Sequence, residues 1–83
     1  MKLYRTRVFV TSISENGFRA MVPSMMDNRV HDLSLSLLPE TVLEAVKAHM
    51  AVDGKPMRLY AMVSLNALRT QAVIFEDFSL EGP

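Results

Sequence analysis

Leu3-Tyr4-Arg5-Thr6-Arg7-Val8-Phe9-Val10, then Ser14-Glu15-Asn16-Gly17, then Phe18-Arg19-Ala20-Met21-Val22, is the stretch that decides the fold. Tyr4, Thr6, Val8 and Val10 alternate with Leu3, Arg5, Arg7 and Phe9, the period of two that belongs to a pleated strand. Val8-Phe9-Val10 is apolar on both faces, so the middle of this strand is expected to be covered on both sides or to bend. Asn16-Gly17 is a strong hairpin signal, because both residues tolerate the positive φ of a type I′ turn. The second strand ends at Pro23, which has no N–H for a ladder. A β-hairpin therefore opens the chain.

Working outward, residues 23–28 read as a loop carrying two adjacent methionines, Met25 and Met26, that no periodic element accounts for. A third strand is expected over 29–38, with Leu33, Leu35 and Leu37 on one face and Ser34 and Ser36 on the other. Its support is alternation, since Leu is not a favoured strand residue. One helix is expected over 39–52. Pro39 suits its first turn and Glu40 the positive end of its dipole. Val42, Leu43, Val46 and Met50 recur at helical spacing, and Glu40, Glu44 and Lys47 face outward. Asp53-Gly54 closes it, with Gly54 in the left-handed position and Pro56 preventing resumption. A fourth strand over 57–65 and a turn at Asn66–Arg69 follow. The fifth, over 70–78, contains Ala72-Val73-Ile74-Phe75, and the acidic end at 76–83 is expected to fray.

The resulting order, β-β-β-α-β-β, resembles the OB-fold, a five-stranded antiparallel barrel with its helix between the third and fourth strands. The resemblance is one of topology over nearly the whole chain. It implies a mainly β domain closed into a small barrel, closure being the way a short sheet removes its unpaired edges. The same string also describes an open antiparallel sheet with one helix packed across it.

Composition narrows the function classes. With 83 residues the chain holds one domain, and a hydrophobic fraction of 49% against 22% charged excludes wholesale disorder. Absence of Cys excludes disulfides and thiolate metal sites. Nine basic and nine acidic residues argue against a protein that coats phosphate indiscriminately. No apolar run reaches the length of a secretory or membrane-spanning segment, and a cytoplasmic location is expected by default.

Catalytic chemistry finds little support. His31 and His49 fall on different predicted elements without ligand spacing to acids, and His49 suits the negative end of the helix dipole. No G-x-S-x-G elbow occurs, and the pairs Glu76-Asp77 and Glu40/Glu44 read as solvated charge. Gly17, Gly54 and Gly82 stand singly, not as a phosphate cradle. A monomer of this size is expected to lack a pocket of about 300–1,000 Å³. We therefore expect no catalysis, metal or cofactor.

Two binding surfaces remain. Met25 and Met26, with seven Met in all, suit contacts with a protein partner or a second copy of the chain, and this is the leading expectation. The alternative is single-stranded nucleic acid held by Arg5, Arg7, Arg19, Arg58 and Tyr60. Arg5 and Arg7 share a strand face, Arg19 follows on the next strand and Arg58 flanks Tyr60. A first strand paired to both the second and the fourth would gather them. Among the six aromatics, Phe9 and Phe75 read as core, while Tyr4, Phe18 and Tyr60 are left as stacking platforms.

Overall fold

The opening alternation becomes a twelve-residue strand, β1 (Leu3–Ser14), long enough to serve two neighbours. The computed structural model describes residues 2–23, 29–64 and 73–81. Along Phe9–Ser14, β1 pairs with β2 (Gly17–Met21), and along Leu3–Val10 it pairs with β4 (Met57–Ser64). β2 pairs in turn with β3 (His31–Leu33), and β4 with β5 (Phe75–Ser79). All pairings are antiparallel, and the sheet order is β3-β2-β1-β4-β5.

Just after the doubly apolar Val8-Phe9-Val10 the strand is irregular. The β1–β2 register shifts between Val10 and Ser12, leaving Thr11 as an extra residue whose hydroxyl donates to Arg19 O at 3.4 Å. Such a bulge reverses which side chains face inward. Before it Val8 and Val10 are buried; after it Ile13, opposite buried Phe18, packs against the core. Phe9 falls on the opposite face.

The hairpin turn is displaced by one residue from its expected place. Its two central residues are Glu15 and Asn16, and Gly17 already opens β2 opposite Ser14. Neither Asn16 nor Gly17 has a positive φ, so no type I′ turn forms; Asn16 N–H instead donates to Ser14 Oγ at 3.3 Å. Gly17 serves another need. A Cβ there would stand 2.6 Å from the backbone oxygen of Leu33, so glycine is what lets β3 approach β2 at this point.

The third expected strand, 29–38, is mostly not a strand. β3 spans three residues, and Leu35–Leu37 forms a 3₁₀ turn. Ser34 Oγ accepts from Ser36 N–H at 3.3 Å, and Leu38 N–H donates to Leu35 O at 3.0 Å. Serine competes for local backbone donors, and the low strand preference of Leu offers no resistance. The helix α1 covers Glu40–Val52, with Pro39 as the residue before it and not inside its first turn. Gly54 takes φ +70° just beyond Asp53, as its place after the helix leads one to expect. The ring of His49 adds a second closure, Nε2–H donating to Lys55 O at 3.1 Å.

β5 begins at Phe75, five residues later than expected, and takes in Glu76–Ser79 of the stretch expected to fray. Met62 pairs with Glu76 and Tyr60 with Ser79, with a register shift between them where Asp77 adopts φ +51°. The expected turn at 66–69 and the start of the fifth strand lie outside the described residues.

One face of the sheet is the core. Val8, Val10, Phe18, Ala20, Leu59, Ala61, Val63, Phe75 and Phe78 meet Val42 and Val46 of α1 there, together with Leu38. The sheet curls enough for its two edge strands to touch through rings: His31 of β3 stands 5.3 Å from Phe75 of β5, and Phe18 stands edge-on to Phe78 at 5.6 Å. Among the described residues no ladder joins β3 to β5, which corrects the expectation of a closed barrel. Where a barrel would have a β3–β5 ladder, the described residues show ring contacts instead. The described residues are mainly β, an open five-stranded antiparallel sheet with one α-helix.

Candidate outer-face binding site

Because side chains alternate along a strand, the register that buries Val8, Leu59 and Ala61 turns Arg5, Arg7, Phe9, Arg58, Tyr60 and Met62 to the opposite face. Directly opposed across the two central strands are Arg7 and Tyr60, Phe9 and Arg58, and Arg5 and Met62. Met21 of β2 lies beside Phe9 on the other flank. Arg7 and Arg58 are exposed, whereas Phe9, Tyr60, Met21 and Met62 are half-buried. The guanidinium carbon of Arg58 lies 6.0 Å from the Tyr60 ring centroid, at the outer limit of a cation–π contact.

The four arginines singled out in the sequence have different fates. Arg5 is committed to holding β5: its Nη2 donates to Ser79 Oγ at 2.7 Å and its Nη1 to Asp77 O at 3.4 Å. Ser79 Oγ–H in turn donates a hydrogen bond to Glu81 O at 2.6 Å. Arg19 lies on the same face toward the hairpin end, where its Nε donates to Asp32 Oδ1 at 2.9 Å. Both members of that pair are well exposed, at 63% and 81%, so solvent screens it and it adds little stability. Neither Arg7 nor Arg58 has a carboxylate partner among the described residues.

The aromatics sort differently from expectation. Phe18, expected as a platform, is core. Tyr4 is 41% exposed but sits at the far end of β1 opposite Val63, with Lys2 Nζ 5.4 Å from its ring. Phe9, expected in the core, is the ring that joins Tyr60. The strand parity it shares with Arg5 and Arg7 was the signal for this, outweighed by its two valine neighbours. Phe75 is core, as expected.

Met25 and Met26 lie outside the described residues. His31 faces inward on β3 opposite Ala20, and Asp32 outward opposite Arg19, so the adjacent pair diverges. Contrary to the expectation of too little volume, an open hollow of about 670 Å³ lies at the hairpin tip. Ser12, Ser14, Asn16, Arg19, Asp32 and Ser34 contribute its polar rim, and the one ion pair there is already satisfied internally. No group of three or more His, Asp or Glu able to hold a metal occurs among the described residues.

No family model, curated protein or solved structure matches this chain.

Proposed function

We propose that this chain is a non-catalytic binding module that holds single-stranded nucleic acid across the outer face of β1 and β4, in an OB-like arrangement left open between β3 and β5. The observation that carries this reading is the pairing on the central strands: two exposed arginines without carboxylate partners among the described residues, each directly opposite an aromatic ring. Guanidinium groups meet phosphates, and partly exposed rings offer bases a surface to stack on. Because the net charge is zero, attraction comes from this patch and not from the whole molecule.

Two arginines at two phosphates would release about two counterions, giving a slope of about −1.4 in log K against log salt for a single strand. The test is a titration of fluorescently labelled oligonucleotide between about 50 and 200 mM salt, a range where phosphate contacts dominate. The wild-type chain should show that shallow negative slope, and R7Q and R58Q should each flatten it by about 0.7. Absence of binding at the lowest salt removes the reading.

A second reading, contact with a protein partner or another copy of the chain, is favoured by the half-buried Met21 and Met62 beside the rings. Met, aromatic and Arg side chains together are the composition of protein interfaces. Met25 and Met26 belong to this reading as a contact loop. Light scattering of the purified chain at rising concentration tests the self-association branch, and a monomer throughout counts against it. For a foreign partner, a M25D/M26D double variant that captures an unchanged set of proteins counts against the Met loop.

A further inference from the structure

Phe9 and Tyr60 are not opposite each other. Phe9 faces Arg58 and Tyr60 faces Arg7, so in the strand register the two aromatic residues occupy one diagonal and the two arginines the other, with the Arg58 guanidinium reaching toward the Tyr60 ring. Diagonal neighbours on one face of an antiparallel pair lie about 7–8 Å apart. Successive bases in a stacked strand rise only about 3.4 Å. Two stacked bases cannot each lie flat on one of these rings; the strand must be drawn out until its bases part. Between them, the exposed Arg7 and Arg58 stand where the phosphates of such an extended strand would pass.

We propose that Phe9 and Tyr60 are separate platforms for two neighbouring bases of an unstacked strand, and that the face therefore selects pyrimidine strands over self-stacked purine strands. This rests on the nucleic-acid reading above and deepens it: the ligand class becomes an extended, pyrimidine-rich single strand. A duplex is rejected because its bases are already stacked and paired. An oligoadenylate must first break its own stacking, which oligothymidylate hardly has, so the discrimination arises from the free strand as much as from the bound one.

The test compares oligothymidylate, oligoadenylate and a duplex of the same length, about ten nucleotides, against wild type, F9L, Y60L, R7Q and R58Q. Leucine keeps the apolar volume on the face while removing the ring, and thermal melts of the same samples establish that each variant is folded. Expected are binding of oligothymidylate at least about fivefold tighter than oligoadenylate, and a loss of about fivefold or more for F9L and for Y60L, the worth of one stacked base. The salt slope should stay at its wild-type value in both. Equal affinity for the two strands, with folded F9L and Y60L behaving as wild type while R7Q and R58Q weaken binding, overturns the platforms and leaves the phosphate-binding reading standing. Failure of every strand to bind wild type overturns both.

Discussion

Gly17 shows how a residue can be chosen for a reason other than the one its motif suggests. Asn-Gly ordinarily signals a turn that needs positive φ, yet the constraint here is the closeness of Leu33, whose carbonyl oxygen lies 2.6 Å from where a Cβ would be. That oxygen belongs to backbone, so relief requires β3 to move away from β2. G17A is expected to lower stability by about 1–3 kcal/mol, the usual range for overpacking. An unfolding titration in urea measures it. A neutral or stabilised G17A would show that β3 is free to retreat and that conformational freedom in the unfolded chain dominates.

Alternation specifies a strand only where composition and terminal signals agree with it. The β1–β2 hairpin, the helix and β4 form within a residue or so of where the sequence puts them because each combines a repeating pattern with terminal signals: a turn at Glu15-Asn16, Gly54 after the helix, Pro56 before β4. The Leu/Ser alternation of 33–37 has the period of a strand but the composition of a local turn, and a serine cap decides in favour of the 3₁₀ turn. The bulge at Thr11 leaves no mark in composition; strand parity alone makes the shared outer face of Arg7, Arg58 and Tyr60 legible, whereas Phe9, flanked by two valines, reads as core and lies on that outer face. The β4–β5 register was equally hidden. It is anchored by Ser64, fully buried, whose N–H donates to Ile74 O at 3.0 Å while its Oγ accepts from Ile74 N–H at 2.8 Å. A side chain thus takes the place of the backbone acceptor at the first rung. S64A should leave the Ile74 amide without its partner and lower stability by about 1–3 kcal/mol. The same deletion should speed hydrogen exchange at that amide, and unchanged protection there would show that another acceptor serves it.

For the molecule as a whole, an open sheet of this size faces a difficulty that a closed barrel avoids. Its two edge strands, β3 and β5, have no second ladder partner among the described residues, and a small chain has little surplus stability: about 4–12 kcal/mol at the usual 0.05–0.15 kcal/mol per residue over 83 residues. The open side of the sheet is spanned here by Phe78, which packs edge-on to Phe18 of β2 at 5.6 Å and alongside Phe75 at 6.0 Å, while its own strand pairs with β4. One buried ring therefore ties the second strand in the sheet order to the last. F78A removes it from a site that is 3% exposed, and a Phe→Ala change in a core costs about 3–5 kcal/mol. That loss is comparable with the lower end of this range, so F78A should melt far below wild type by circular dichroism and, at that lower end, be largely unfolded at about 25 °C. F78L, which keeps most of the volume, should retain the fold with a smaller loss. Should F78A instead melt within a few degrees of wild type, the curl of the sheet would have to be held by backbone twist and α1 alone, with the ring bridge a consequence of the curl and not its cause.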